Sequence, residues 1–508
     1  MKTRKILSLI LKSLLLILGV IIVAVIIRTV TFPDAQPYFE KCKVSDSDFI
    51  PLNDVRLQHF RTAIQIPTVC TSIDNCNFTA ILQLHDHIQE SFPLIHSSNF
   101  IQRILFANYT LLYRVEGTNS TLPPYMLVSH LDVVPAKAAE WQVDPFSATV
   151  KEGYIFGRGT LDVKQTLFGM MEALEFRLAK GQRPIRTFYM AMGHDEEVSG
   201  LRGAKAVANY FSSRGITLDF ISDEGMVVAD GILPGMQTPV ALIGIAEKGM
   251  ATFEFSVSVT PGHASMPAGE TSIGILSKAM VSLEQNPHEN FFGKGPERLL
   301  LEYVVNKMTL PHRVLMANLW LFGPLIARAF ALKPNTNAII RTTTALTMFN
   351  AGVKWNVISS TAKAVVNHRI HPLQSVADVL KIDKKIIQDD RVKVKILSAY
   401  EPSPISPTDS DGYRILHQSI YQIFEVPVAP ALFIASSDSK HFVKLSKNIY
   451  RFAPSFLNSA ELKGIHGNNE KIKIKNYEQT INFYYHLMIN AEKSANLKSA
   501  FDKGHQDL

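Results

Sequence analysis

Apolar residues between positions 51 and 246 follow two alternating periods. Tyr125–Ser129 and Thr187–Gly193 are short, continuously apolar runs with the length of buried strands. Val163–Lys180 instead carries its apolar residues at helical spacing, and Gly181 ends that pattern. Strands that alternate with helices are typical of a sheet that is covered by helices on both faces. The pattern therefore predicts an α/β domain built on a mixed, mostly parallel sheet.

A different pattern begins near residue 247. Met250–Thr260 and Thr361–Ile370 alternate apolar and polar residues, as half-exposed antiparallel strands do. Ser272–Glu284 between them has a helical pattern, and the α/β style returns after about residue 400. We therefore expect an α+β domain inserted into the first domain. The predicted organisation is a leader at 1–28, a linker at 29–50, the α/β domain in two parts at 51–246 and 400–492, the inserted domain at 247–399, and a polar, disordered tail at 493–508.

The first residues have the pattern of a targeting signal. Lys2, Arg4 and Lys5 precede Ile6–Ile27, which is almost wholly apolar and is interrupted by Lys12. A basic flank before an apolar run indicates a secretory signal peptide or a signal anchor. We therefore expect a secreted protein or, alternatively, a type II membrane protein whose globular part is lumenal.

Features downstream of the leader fit that compartment. Asn77, Asn108 and Asn119 each begin an Asn-X-Thr sequon, a match that is weak alone but agrees with the leader. Cys70 and Cys76 fit either a short disulfide loop, which an oxidising lumen allows, or two buried thiols. The sequence leaves both interpretations open.

Composition and charge exclude several classes of protein. Hydrophobic residues make up 46% and charged residues 19% of the 508 residues, which excludes wholesale disorder. A single apolar run approaches membrane-spanning length, which excludes a polytopic membrane protein. The leader contributes five of the seven net positive charges, and no basic stripe interleaved with aromatic residues follows it. A nucleic-acid partner is therefore not expected.

Residues typical of metal sites follow the predicted strands. Because ligands bind beyond the carboxyl ends of strands in open α/β sheets, we expect these side chains to meet at one edge. A set rich in oxygen and imidazole, without cysteine, favours a hydrolytic two-metal site that holds zinc. The segments are His130–Asp132, Gly157–Asp162, His194–Glu197, Asp223–Gly225 after the predicted strand Leu218–Ser222, and Ile465–Gly467.

Elementary chemistry suggests how such a site would work. Residues i and i+2 of a strand point the same way, so Asp132 can accept the second ring N–H of His130 and orient the ring. Two metals about 3.5 Å apart need a bridging carboxylate. Glu196 and Glu197 are adjacent, so one can bind metal while the other stays free as a base.

The ordered motifs resemble a known family. From about residue 55 to 490 the chain is similar to the di-zinc aminoacylase/carboxypeptidase metallopeptidases, and within them to the secreted enzymes that form and hydrolyse N-fatty-acyl amino acids. The family motifs here are Ser129–Pro135, Gly157–Asp162, His194–Glu197, Asp223–Gly225, Thr260–Ser265, Gly352–Ile358, Asn367–Pro372 and His466–Gly467. The closer match is carried by Gly193–Glu197, Glu270–Ile275, Asn337–Thr347 and His466–Lys471.

The resemblance implies two Zn²⁺ ions per subunit. His130 and Asp223 would bind one ion. Glu197 and His466 would bind the other, and Asp162 would bridge them. The inserted domain would be a ferredoxin-like lid that can also form a homodimer.

The resemblance also implies the remaining roles. Glu196 would be the general base that activates the attacking water, and Asp132 would orient His130. His263, from the lid or from a partner subunit, would stabilise the oxyanion. Asn356 and Arg369 would hold the carboxylate of the amino acid, because a guanidinium grips a carboxylate through two parallel hydrogen bonds.

The implied substrates are fatty acids, free amino acids and their N-acyl conjugates. The apolar stretch Val314–Leu332 either lines a groove for the acyl chain or packs as an ordinary helix, and association with a lipoprotein or a membrane surface would suit such substrates. Two alternatives stay open: a secretory-pathway metallo-carboxypeptidase or dipeptidase, and a catalytically silent protein that binds lipidated amino acids.

Two positions depart from the family pattern. Val163 stands where relatives often carry Asp or Met. Ser436–His441 replaces a loop that usually reads Gly-x-Thr-Asp-Ser-Arg. Losing the glycine and exchanging Arg for Lys changes backbone freedom and bidentate binding, so substrate preference is affected more than metal binding.

Overall fold

The computed structural model describes residues 2–43 and 47–504. Residues 44–46 of the predicted linker and 505–508 of the predicted tail lie outside the described residues. Within this part of the chain, α-helices cover Lys2–Val30, Asp54–Gln65, Phe78–Ser91, Pro93–Ser97, Lys164–Ala179, Ala204–Ser213, Ser272–Gln285, Pro296–Val304, Leu310–Ala317, Leu319–Ala331, Pro334–Ile340, Val376–Ile387, Asp411–Phe424 and Ile474–Gly504.

An eight-stranded mixed sheet forms the centre of the molecule. Its middle strands pair in parallel, and antiparallel pairs occur at the Ile101–Phe106 edge and between Val240–Glu247 and Ile449–Asn458. The parallel centre brings several carboxyl ends to one edge of the sheet. In spatial order the strands are Val428–Phe433, Val240–Glu247, Ile449–Asn458, Ile221–Asp230, Tyr125–His130, Phe188–Gly193, Thr110–Val115 and Ile101–Phe106.

Helices bury both faces of this sheet. Leu111 and Tyr113 belong to the core under helices Lys164–Ala179 and Ile474–Gly504, whereas Leu112 between them packs in the core under Ala204–Ser213. Alternate residues of a strand point to opposite faces, which explains the continuously apolar strands that the sequence contains.

A second, antiparallel sheet is built from the inserted region. Its strands lie in the order Thr343–Ala351, Thr361–Ile370, Gly249–Ser258 and Lys393–Tyr400. Phe253 and Phe255 pack with Ile275 and Val379 from the two helices on one face, while the other face is largely exposed. One buried face accounts for the alternating pattern in the sequence.

Small pairings complete the fold. Thr149–Lys151, Tyr154–Phe156 and Lys471–Lys473 form a three-stranded sheet, and Gly262–His263 pairs with Val357–Ile358. Cys70–Ser72 pairs with Asn75–Cys76, and a disulfide joins Cys70 to Cys76. The structure thus selects the disulfide of the two interpretations that the sequence left open.

By length and composition, one helix near the N-terminus, Thr3–Val30, could cross a membrane. The helices Leu310–Ala317 and Leu319–Ala331 meet at an angle of 108° and pass the same test when taken together. We call these two helices the apolar hairpin.

The last helix of the structure reaches into the predicted tail. Helix Ile474–Gly504 continues through positions that the sequence predicted as a disordered tail. Residues 493–504 contain Ala, Leu and Lys, which are good helix formers, and a polar sequence of such residues can extend a helix that is already nucleated by a buried segment.

Candidate metal centre

Asp162 lies at the centre of a cluster of imidazole and carboxylate groups. Its Oδ1 is 3.0 Å from Nε2 of His130, and its Oδ2 is 3.0 Å from Nε2 of His466. Oε2 of Glu197 is 3.1 Å from the same His466 nitrogen. The two oxygens of one carboxylate thus face two imidazoles, as a ligand that bridges two metal ions must do.

His130 ends the strand Tyr125–His130 and is buried. Its Nδ1 is 2.8 Å from the backbone carbonyl of Asp132 and 3.5 Å from that residue's Oδ1. The carbonyl is therefore a closer partner than the carboxylate that the sequence predicted. A proton on Nδ1 that is donated to Asp132 leaves Nε2 free to bind a metal.

The Asp132 carboxylate has a second task, which is to hold the turn after the neighbouring strand. Its Oδ1 accepts the backbone N–H of Glu196 and its Oδ2 that of Glu197, both at 3.1 Å. These two acids begin the short helical turn Glu196–Val198. Asp132 therefore fixes His130, the candidate base and a candidate ligand together.

Asp223 does not join the cluster. The predicted strand Leu218–Ser222 is observed as Ile221–Asp230, so Asp223 lies within the strand and not in a turn after it. Its Oδ1 accepts the N–H of Glu224, and its Oδ2 accepts the N–H of Ser439, both at 2.8 Å. In this structure backbone amides are therefore the partners of both Asp223 oxygens, and the assignment of Asp223 as a metal ligand stays a prediction.

Glu224 takes the place predicted for Asp223. Its Oε1 is 3.4 Å from Nε2 of His130, and the candidate ligand atoms of Glu224, His130 and Glu196 all lie within 4.8 Å of one another. Consecutive strand residues point to opposite sides, which explains why one acid of the pair faces the cluster and the other faces the loop at Ser439. The sequence indicated the pair of adjacent acids, Asp223 and Glu224. Which of the two faces the cluster could not be decided without knowing where the strand begins.

The close approach of several acidic side chains shifts the pKa values within the cluster. Burial, together with the charge of Glu224, raises the pKa of Glu196 well above its usual value. Burial raises the pKa of Glu224 itself to about 8. Hydrogen bonds to Asp162 and Glu197 raise the pKa of His466 to about 10. A divalent cation would relieve this repulsion by supplying the missing positive charge.

The residues present fit two zinc ions. Two imidazoles and three carboxylates converge, and no thiolate is among them. Oε1 of Glu197 is buried without a hydrogen-bond partner. A buried orphan oxygen needs a partner, and a cation would supply one.

Glu470 is a residue that the sequence reasoning missed. Its buried carboxylate accepts the backbone N–H groups of Leu161 and Asp162 at 2.6 and 3.2 Å. Arg158 donates to Glu470 at 2.7 Å and to the carbonyl of Gly467 at 2.9 Å. The ion pair of Arg158 and Glu470 thus joins the loop that carries Asp162 to the turn that carries His466. Its sequence signal was its position inside the His466–Lys471 segment.

A comparison with protein-family models agrees with these motifs. Residues 126–490 match the model described as peptidase family M20/M25/M40. The chain belongs to this family.

Some of the similar proteins are named N-fatty-acyl-amino acid synthase/hydrolases, and others are named carboxypeptidases. N-fatty-acyl-amino acid synthase/hydrolase PM20D1 of Xenopus tropicalis is 44% identical over 488 residues, covering 96% of this chain and 95% of that protein. Probable carboxypeptidase S-like 2 of Dictyostelium discoideum is 38% identical over 489 residues, covering 94% and 93%. Carboxypeptidase S of Saccharomyces cerevisiae is 30% identical over 493 residues, covering 86% and 84%.

Two solved structures share the fold. The M20 family metallo-carboxypeptidase Sso-CP2 from Sulfolobus solfataricus has a TM-score of 0.63 at 16% identity, covering 87% of this chain and all of that one. Human carnosine dipeptidase 1 has a TM-score of 0.57 at 14% identity, covering 87% and 96%.

Three of the predicted site residues lie on the inserted region. His263 is exposed in the strand Gly262–His263, Asn356 precedes its partner strand, and Arg369 is exposed on Thr361–Ile370. Among the described residues, no hydrogen bond or ion pair joins these three to the cluster. Oδ1 of Asn356 lacks a hydrogen-bond partner.

The loop Ser436–His441 lies close to Glu196, because the charges of Asp438 and Lys440 in this loop influence the pKa of that carboxyl. Glu247 accepts the N–H and hydroxyl of Ser437 at 2.8 and 2.6 Å, which anchors the loop from the sheet. Burial lowers the pKa of Lys440, but the nearby carboxyls of Glu196 and Asp438 outweigh it and raise the value. Lys440 therefore contributes positive charge near the candidate base.

Proposed function

We propose that this chain is a two-zinc hydrolase that cleaves, and in reverse forms, the amide bond of N-fatty-acyl amino acids. The observation that carries the proposal is the sharing of Asp162 between His130 and His466, with the half-buried Glu196 beside them. The similarity to PM20D1 of Xenopus tropicalis over nearly the whole chain supports the substrate class.

The proposed metal ligands follow the geometry. His130 and Glu224 would hold one zinc, Glu197 and His466 the other, and Asp162 would bridge them. When bound, the two ions would lower the pKa of water to about 7 and polarise the amide carbonyl.

Glu196 is the proposed general base. It would take a proton from the attacking water as the new C–O bond forms, and would give that proton to the nitrogen as the C–N bond breaks. Burial and the charge of Glu224 raise its pKa above the usual value for a carboxyl group, which makes it a stronger proton acceptor. Asp132 would act as a positioning residue through the N–H of Glu196.

The lid residues would complete the site. His263 would stabilise the oxyanion, and Asn356 and Arg369 would hold the carboxylate of the amino acid, after lid closure or from a partner subunit in a homodimer. Fatty acids and free amino acids would be the products of hydrolysis, and concentrations decide the net direction.

The apolar N-terminal helix fits a secretory route. We propose that the globular part is lumenal or extracellular, either secreted after removal of the leader or anchored by it, and that lipoprotein or membrane surfaces supply its substrates. The disulfide between Cys70 and Cys76 supports an oxidising compartment.

A metallo-carboxypeptidase or dipeptidase is the second candidate. The similarity to carboxypeptidase S of Saccharomyces cerevisiae favours it. A silent binding protein ranks last, because the candidate base and ligands are all present.

The test is a substrate panel on the full, zinc-loaded chain. Hydrolysis of a long-chain acyl-Phe in preference to dipeptides supports the proposal, and cleavage of dipeptides alone rejects it in favour of the second candidate. Glu196→Gln should lower kcat roughly 10²–10⁴-fold while the zinc content stays the same. Unchanged turnover in this variant would contradict the assigned base.

A further inference from the structure

The apolar hairpin presents hydrophobic side chains to the outside. Trp320, Leu321, Leu325 and Leu332 are 53%, 36%, 61% and 84% exposed. Their spacing places them on one face of a helix. Soluble proteins usually bury such an apolar face, but here it is exposed. Its only charged residues are Arg313 and Arg328, and it contains no acid. Contiguous exposed apolar surface of this kind marks an interaction site.

The bend of the hairpin is fixed to the end of the N-terminal helix. Arg28 donates through Nε to the carbonyl of Ala317 at 2.7 Å. Asn318 donates through Nδ2 to the hydroxyl of Thr29 at 3.0 Å and to the carbonyl of Val25 at 3.4 Å. Val25 and Thr29 are four residues apart, which is about 6 Å along a helix. The bend therefore lies beside the last turn of the apolar helix.

Most of the remaining side chains of that helix are exposed in the part of the chain that the structure describes. Its side chains from Ile6 to Ile27 are almost all exposed, and they form a run long enough to cross a bilayer. A cavity of about 510 Å³ opens between its end and the hairpin, and its lining includes the charged side chains of Arg28, Arg298 and Glu302 beside Phe32, Phe292 and Trp320. The apolar surface of the helix thus continues directly onto the hairpin.

We propose that the apolar hairpin is a membrane-seating element that lies in the bilayer leaflet at which the N-terminal helix ends, with lipid chains filling the cavity between them. Continuity with the spanning helix selects a phospholipid bilayer as the occupant. Apolar side chains enter the acyl region, and Trp320 lies at the boundary, where indole rings are favoured. The inference does not depend on the proposed catalytic function.

The test uses tryptophan fluorescence of the full chain in phosphatidylcholine vesicles whose acyl chains carry bromine, a contact quencher. The other tryptophans are suitable references, because Trp141 is buried and Trp355 is 90% exposed on the inserted region. The quenched component should disappear in Trp320→Phe and persist in Trp355→Phe. Equal quenching in both variants, or none in the parent chain, would overturn the proposal.

A second pair of variants removes the surface instead of the probe. Leu321→Glu with Leu325→Glu should at least halve the quenching of Trp320, whereas Leu201→Glu, at an exposed leucine of the α/β domain, should leave it unchanged. Thermal unfolding of each variant checks that the fold is intact. If the hairpin instead binds a second copy of the chain, Trp320 emission would be insensitive to bromine and would change on dilution of the protein, which also overturns the proposal.

Discussion

Arg158 and Glu470 form a buried ion pair 2.7 Å long that connects the two loops of the metal centre. Arg158 also donates to the carbonyl beside His466, and Glu470 holds the backbone of Asp162. The bridging carboxylate and the late histidine are therefore positioned by one pair of charges that touches neither candidate metal.

Glu470→Gln tests this positioning role. The neutral amide leaves Arg158 buried without its counter-charge and replaces one acceptor oxygen by a donor, so the Asp162 loop should loosen. Outer contacts of this kind typically contribute 10–100-fold to metal affinity, and we expect a loss of about that size. Competition with a chelator measures it. Glu461→Gln, whose carboxylate binds Tyr154 outside the cluster, is the control and should bind zinc normally. Equal affinity in both variants would rule out the role.

Substitutions of Glu224 and of Asp223 should have different effects on the zinc content of the protein. Glu224→Gln removes a ligand that faces His130, and we expect about one zinc in place of two. Asp223→Asn keeps an acceptor for a backbone amide and should retain both ions. Elemental analysis of the two purified proteins decides between the neighbours, and the reverse result would restore Asp223 as the ligand.

Zinc binding should release protons at neutral pH. His466 and Glu224 have pKa values raised to about 10 and about 8 in the metal-free protein, so both are protonated at pH 7. Because zinc binds only the deprotonated groups, its affinity should rise with pH and fall in acid. Calorimetry at pH 7 in two buffers of different ionisation enthalpy should give at least one proton released per protein. If the affinity for zinc were the same at pH 6 and at pH 8, this prediction would be wrong.

Asp383 stabilises the inserted region between two imidazoles. Its oxygens lie 3.4 Å from His288 and 2.9 Å from His368, and all three side chains are buried. Burial raises the pKa of Asp383, but the hydrogen bonds to the imidazoles outweigh it and lower the value. The stabilisation is therefore present at neutral pH and is lost as the pH falls through the lowered pKa.

Asp383→Asn should cost about 1–3 kcal/mol, because the amide replaces one acceptor oxygen by a donor and leaves a buried polar group between the two imidazoles without its partner. Urea unfolding of the full chain measures the change. Asp390→Asn, at an exposed position of the same region, should stay within about 0.5 kcal/mol. A loss below about 1 kcal/mol for Asp383→Asn would show that the cluster does not depend on this charge.

Local pattern predicted most of the fold. The buried strand ending at His130 and the alternating strand Thr361–Ile370 are where apolar periodicity places them, because one period corresponds to one kind of burial. The broken apolar segment at Asn318 could not be predicted in this way. Its break depends on contacts with Val25 and Thr29, nearly 300 residues earlier in the chain.

The candidate site, like the fold, could be predicted from the sequence only in part. The residue types at strand ends predicted that His130, Asp162, Glu197 and His466 meet. The choice between Asp223 and Glu224 was beyond the sequence, because it depends on where a strand begins and on which loop supplies amides. Glu470 could not be assigned either, since a carboxylate that binds backbone N–H groups has no spacing rule.

The metal centre draws its ligands from both sides of the inserted region. Four of them are translated by residue 224, whereas His466 follows the whole insertion. A ribosome must therefore synthesise the entire inserted region before the last imidazole leaves the exit tunnel. Until then, a nascent chain carries the acidic side chains without His466, so the proposed two-metal centre would be completed only after synthesis of nearly the whole polypeptide.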